Sequence, residues 1–204
     1  LTPDIIQSAR FGHRIGDASM LDGLTGMLTD PFGNGIMGVT AENVAQKYGI
    51  SRQDQDAFAA ESQRRAAAAI EAGHFRSQIL ALEVASGRKT VTFDADEHPK
   101  PETTAETLAA LKPVFKKDGV VTAGNASGIN DGAAAVVLAS DTYVRRTGAK
   151  PLARLVAYAH SGVEPAIMGI GPVPAVRDLV DRASLKLADF DVIESNEAFA
   201  AQAL

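Results

Sequence analysis

The residues best placed to do chemistry lie near the end of the chain, in Val192-Ile-Glu-Ser-Asn-Glu-Ala-Phe-Ala-Ala-Gln202. An apolar run ends there on polar residues and passes directly into an alanine-rich stretch. The pattern predicts a strand over 190–194 followed at once by a helix, which places Asn196 at the carboxyl end of a strand. In open α/β sheets ligands bind at that edge. An amide in that position can donate to a developing oxyanion, or hold a water that does so. The alternative is that Asn196 only caps the helix, since Asn is a preferred N-cap residue.

A second candidate is Ala123-Gly-Asn-Ala-Ser-Gly-Ile-Asn-Asp-Gly132. Its glycines allow backbone to approach a ligand closely, and Ser127 offers a hydroxyl. The GxGxxG spacing of a dinucleotide loop is absent, so a ligand loop and a bare turn leading into a strand both fit. His13, His74, His98 and His160 are scattered, with no HExxH, no paired spacing and no cysteine companions, which gives a metal site little support and fits surface or packing residues. Asp94, Asp96 and Glu97 read as solvated loop charge. The sequence contains 0 Cys, which excludes disulfides and thiolate ligands within it.

The elements that must carry these residues differ between the two parts of the chain. The first forty residues are glycine-rich and keep no long period, as expected of irregular structure. Thr40 is expected to cap a helix through Lys47, with Gly49 as its left-handed stop. Ser51 and Asp54 form a capping-box pair opening a second helix that runs to Gly73. Alternation predicts short strands at 78–84 and 90–93 around Gly87. Thr103 and Glu106 suggest a further capped helix, ended or kinked by Pro113. The run Ala133–Ala139 has the continuous apolar character of a strand buried on both faces. Strands at 152–159 and 190–194, with a helix over 172–183 between them, complete an α/β pattern.

The 204 residues are 46% hydrophobic and 22% charged, enough apolar surface for one sizeable core or two small ones. A formal net charge of -5 provides no cationic field for a phosphate backbone, so nucleic acid is a poor partner. The longest apolar run is too short to span a bilayer. With no leader-like start at Leu1, the expectation is a soluble, cytoplasmic protein without membrane association.

Several blocks, taken in order, resemble the thiolase family, closest to the bacterial biosynthetic acetyl-CoA acetyltransferases and β-ketothiolases. They are Gly38-Val-Thr-Ala-Glu-Asn-Val-Ala45, Ser51-Arg-Gln-Asp-Gln-Asp-Ala-Phe58, Thr122-Ala-Gly-Asn-Ala-Ser-Gly-Ile-Asn-Asp-Gly132, Met168-Gly-Ile-Gly-Pro172 and Asn196-Glu-Ala-Phe-Ala-Ala-Gln202. The resemblance covers essentially the whole chain. It implies an α/β fold of αβαβα layers, present as an irregular α+β loop domain plus incomplete core halves. Residues 1–120 would be the coenzyme A-binding loop domain, 121–148 the last part of the N-terminal half, and 149–204 the start of the C-terminal half.

By the same resemblance, Leu28 and Met37 line the adenine and pantetheine path, and Lys100 and Thr107 lie near the nucleotide. Ala123 and Ser127 contact the pantetheine arm, and Ala198 and Phe199 close the tunnel. Met168 sits near the acyl group, and Asn196 holds the water of an oxyanion hole. Two departures stand out: Ile36 where relatives commonly have His, and Lys100 where they commonly have Arg. Lysine still pairs with phosphate but lacks the flat guanidinium that stacks on a base.

The implied activity is acyl transfer, the reversible condensation of two acyl-CoA molecules to 3-ketoacyl-CoA and free coenzyme A, with thioesters as substrates and no further cofactor. The family's nucleophilic Cys, activating His and second Cys have no counterpart here. The segments carrying them would precede Leu1 and follow Leu204, so the 204 residues alone are expected to be inactive. The resemblance also implies a homo-oligomer, a dimer or a tetramer, with 10–17 similar to the loop through which many thiolases form tetramers. The alternative is a non-catalytic binding or interaction fragment derived from a thiolase.

Overall fold

The computed structural model describes residues 3–13 and 15–204. Arg14, within the expected oligomerisation loop, lies outside the described residues. In chain order, a 3-10 turn at Gln7–Phe11 is followed by α1 (Gly23–Met27), α2 (Met37–Tyr48), α3 (Arg52–Glu71), β1 (Leu82–Ser86), β2 (Lys89–Phe93) and α4 (Ala105–Ala109). Then come α5 (Asp141–Thr147), a 3-10 segment at Pro165–Ile170, α6 (Pro172–Ala183), a 3-10 turn at Leu187–Asp189, and α7 (Ala200–Ala203). The chain forms two compact units. Unit I comprises residues 37–128 and 195–204, and unit II comprises 1–36 and 129–194.

Unit I is built on α2 and α3. The first of these begins at Met37, a turn earlier than the expected cap. Thr40 is absorbed into the helix, its buried hydroxyl donating to the Met37 carbonyl at 2.7 Å, the back-bonding by which helices accommodate threonine. Gly49, at φ 68°, ends α2 in the left-handed conformation. The Ser51 cap forms as expected: its hydroxyl accepts from the Asp54 amide at 3.1 Å, and the Asp54 carboxylate accepts the Ser51 amide at 3.3 Å. Gly73, at φ 75°, stands just beyond the end of α3.

The hairpin is real but later than expected. Its strands pair antiparallel from Leu82↔Phe93 to Ser86↔Lys89, and residues 78–81 stay outside the ladder. The cap of α4 is shifted by one residue, to Thr104 with Thr107, because Thr104 adopts the extended backbone a cap requires. That helix ends at Ala109, well before Pro113, which bridges to Thr122. The Arg52 guanidinium donates to the carbonyls of Leu108 at 2.6 Å and Leu111 at 3.0 Å, capping the end of α4 from α3. Ala41, Val44, Ala45, Ala59, Leu108, Val121, Ala200 and Ala201 form the buried apolar core. Its small side chains let α7 lie against α2 and α3.

Unit II departs further from expectation. The helix over 172–183 forms as predicted, with Pro172 at its first position. The strands expected at 133–139, 152–159 and 190–194 do not form. Ladder hydrogen bonds need a neighbouring strand, and the one ladder among the described residues is β1 with β2. The apolar side chains of those runs are exposed, Val137 at 97% and Leu138 at 82%. The expected junction at Asn196 is corrected for the same reason. No strand precedes it, and α7 starts at Ala200 after the extended Phe199, so Asn196 is neither a strand end nor the helix cap.

Candidate functional site

The site is a loop held against a short extended segment, both within unit I. The loop runs through residues 120–128. The buried Glu42 carboxylate of α2 accepts the backbone amides of Val120 and Val121, each at 3.0 Å. Asn125 fastens the turn, its side-chain oxygen accepting the Thr122 amide at 2.8 Å. Beyond it the chain pairs with residues 198–200. Ala126 bridges antiparallel to Phe199, the Ser127 amide donates to the Ala198 carbonyl at 2.9 Å, and the Ala200 amide donates to the Asn125 carbonyl at 2.9 Å.

This pairing brings Ser127, expected at the pantetheine arm, together with Ala198 and Phe199, expected to close the tunnel, and places Ala123, the other expected pantetheine contact, on the same loop. Ala123, Ser127 and Ala198 are exposed, and Phe199 is half-buried, so the pair presents an accessible backbone edge beside an aromatic ring. The ring has company. Phe115 meets Phe199 edge-on, with ring centroids 6.3 Å apart and planes at 78°, the geometry that the aromatic quadrupole favours. Phe115 also packs against Gly38, where an added Cβ would fall 2.2 Å from the ring. Met37, half-buried, opens α2 beside that glycine.

Other expected contacts are in unit I but away from this pairing or differently employed. The Thr107 hydroxyl works in the α4 cap, accepting the Thr104 amide at 3.0 Å and donating to the Thr104 carbonyl at 2.9 Å. Lys100 is exposed, and its backbone amide donates to the Gln63 side chain at 2.8 Å. Asn196 is exposed. Next to it the Glu197 carboxylate accepts the Ser62 hydroxyl of α3 at 2.6 Å.

Unit II holds the remaining candidates. Leu28, half-buried, follows α1 directly. Just after it, Thr29 bridges to Ile36 across a turn organised by Asp30. The Asp30 carboxylate accepts the amides of Asn34 and Phe32, each at 3.0 Å, and the Asn34 amide foremost holds its pKa below the ordinary carboxylate value. Met168 is exposed in the 3-10 segment Pro165–Ile170.

Sequence reasoning missed Phe115, Glu42, Asp56 and Asn125. Asn125 lies inside the Ala123–Gly132 motif, where the glycines and Ser127 are the more evident ligand-contact signals. Glu42 and Asp56 look like ordinary helix carboxylates because their partners lie 78 and 69 residues away, and no local spacing reports such a separation. Among the described residues no cluster of His, Cys, Asp and Glu could hold a metal ion, and no helix is long and apolar enough to cross a membrane.

Comparison with known proteins bears on what this loop pairing serves. The thiolase N-terminal domain family matches residues 3–142, and the thiolase C-terminal domain family matches residues 149–204. The chain is 56% identical over 203 residues to the beta-ketothiolase BktB of Cupriavidus necator, covering 98% of this chain and 51% of that protein. Among solved structures, it is similar to the Bacillus anthracis acetyl-CoA acetyltransferase, with TM-score 0.85 and 47% identity over 98% of this chain and 51% of that one. It is also similar to human mitochondrial 3-ketoacyl-CoA thiolase in complex with CoA, with TM-score 0.84 and 48% identity over 99% of this chain and 50% of that one. The chain thus spans about half the length of the curated relatives it matches. Both domain families and fold neighbours of high identity agree, and the chain belongs to the thiolase family, with its thiolase-like α/β fold.

Proposed function

We propose that this chain is the coenzyme A-binding portion of a thiolase-type acyltransferase, which condenses two acyl-CoA molecules reversibly to 3-ketoacyl-CoA and free coenzyme A. The observation that carries the reading is the pairing of the 122–127 loop with 198–200, which sets the exposed Ser127 and Ala198 beside the half-buried rings of Phe199 and Phe115. A backbone edge beside an aromatic ring suits an amide-bearing, largely apolar arm such as pantetheine. A relative of 48% identity solved in complex with CoA supports the same ligand class.

On this reading residues 1–120 serve as the loop domain, 121–148 close the N-terminal half and 149–204 open the C-terminal half. Leu28 and Met37 line the ligand path, Lys100 and Thr107 serve the nucleotide end, Ala123 and Ser127 meet the pantetheine, and Met168 borders the acyl group. Asn196 holds the water of an oxyanion hole, where a fixed donor stabilises charge that develops only in the transition state. With 0 Cys the chain has no thiolate to take the acyl group, so these 204 residues bind without turning over. The intact enzyme works in the cytoplasm as a homo-oligomer on thioester substrates, without a metal.

Calorimetry with coenzyme A tests the reading directly. Saturable one-site binding is expected, strengthened in Lys100→Arg and weakened in Ser127→Tyr, together with no thiolysis of acetoacetyl-CoA by the purified chain. Absence of coenzyme A binding would refute the binding role, and measurable thiolysis would refute the assignment of inactivity. The lack of cysteine also favours a second reading, a non-catalytic coenzyme A binder. An intact mass of 21.3 kDa for the natural protein would support it, and a heavier mass with flanking peptides would support the enzyme.

A further inference from the structure

Given that the 122–127 loop faces coenzyme A, as proposed above, we infer that Asn125 and Asp56 form a buried positioning pair. It locks this loop, and through it the 198–200 segment, to helix α3.

Asn125 is 3% exposed and Asp56 5%, and neither belongs to the exposed edge itself. The Asn125 side-chain amide donates to Asp56 Oδ1 at 2.9 Å and to the Val120 carbonyl at 3.0 Å, while its oxygen accepts the Thr122 amide at 2.8 Å. The other Asp56 oxygen accepts from Arg52 Nε at 2.7 Å, and that same guanidinium caps the end of α4. The backbone of Asn125 completes the set, accepting the Ala200 amide at 2.9 Å. One residue thus joins α3, both sides of its own turn, and the segment that carries Ala198 and Phe199.

The chemistry requires an amide at this point. The nitrogen meets two acceptors and the oxygen meets one donor, which fixes its orientation and leaves no place for a carboxylate. Asp in place of Asn125 would set two carboxylates face to face in a buried site and point a second acceptor at the Val120 carbonyl. Buried groups that lose a partner retain their full desolvation cost, so the loop would open. The register of Ser127 against Ala198 then loses its anchor to α3, although neither residue has been altered. Exchanging the two side chains, with the amide at 56 and the carboxylate at 125, restores a donor and an acceptor across the contact. It also leaves an oxygen at 56 for Arg52 and one at 125 for the Thr122 amide, while the Val120 carbonyl still lacks its donor.

The test uses hydrogen exchange and coenzyme A calorimetry on wild type, Asn125→Asp and the exchanged pair Asp56→Asn/Asn125→Asp. Asn125→Asp is expected to speed exchange at the Ser127 and Ala200 amides by about tenfold or more and to weaken coenzyme A binding by about as much, the exchanged pair recovering part of both losses because it restores the 56–125 contact but not the donor to Val120. The proposal is overturned if Asn125→Asp leaves both readouts at the wild-type level. It is equally overturned if melting temperature falls while those two amides and coenzyme A affinity do not change. Should Asn125→Asp fail to fold, Asn125→Ser removes the contact to Asp56 without a like charge and is judged by the same readouts. If wild type takes up no coenzyme A, the binding role fails by itself, and exchange at Ser127 and Ala200 alone decides whether the pair locks the loop.

Discussion

Leu108 and Leu138 are the same residue in two units, one 4% exposed and the other 82%. In unit I, apolar and polar groups find partners far along the chain: Leu108 sits under α3, Val121 is fully buried, and the Glu42 carboxylate receives two loop amides. In unit II, the runs at 133–139, 152–159 and 192–193 are as apolar as any core segment, yet Val137, Leu152 and Val192 are exposed. The difference teaches that apolar character creates only a demand for cover. Burial stabilises a segment only where another element occupies its face.

The sharpest way to break this contrast is to cut the same side chain in both units. Leu108→Ala is expected to cost about 2–5 kcal/mol in chemical denaturation, as buried leucine truncations do. Leu138→Ala should stay within about 0.5 kcal/mol, as surface changes do. Equal losses would mean that the exposed run is covered in solution. A smaller effect is expected within unit I at Gly38, where an added Cβ would fall 2.2 Å from the Phe115 ring. Gly38→Ala should cost about 1–3 kcal/mol. It should also weaken coenzyme A binding by turning Phe115 away from Phe199, whereas Gly26→Ala, with open space around it, should leave binding unchanged.

The smallest effect belongs to exposed charge. The Glu61 carboxylate is pulled from 4.5 to about 2, first by its hydrogen bond with Arg64 and then by that with Arg65. A carboxylate whose folded pKa is depressed contributes stability above its unfolded value and loses it as pH falls. The difference in melting temperature between wild type and Glu61→Gln should therefore be full above pH 4.5 and vanish towards pH 2. High salt should shrink it as well, since both ion pairs are exposed. A difference that survives at low pH would assign the effect to packing.

Legibility followed range. The Ser51 capping box, the left-handed stop at Gly49, the end of α3 by Gly73 and helix 172–183 are readable because each is decided within a few residues. Thr40 and Thr103 misled by a turn and by one residue, since a threonine can cap or back-bond and the local pattern does not choose. Ser127, Ala198 and Phe199 could be named from motif resemblance, but their contact through one bridge and one amide could not. Phe115 carried no signal at all, because what distinguishes it is the ring across from it.

By itself, then, the sequence determined the family, the absence of any cysteine nucleophile, and the helices whose ends are written in adjacent residues. Which carboxylates hold the loop, which aromatic ring faces Phe199 and which apolar runs lie uncovered emerge only on folding. The physical reason is that caps and turns are satisfied within a few residues. A buried amide, a ring face or a strand edge is satisfied only by a group that folding brings from elsewhere.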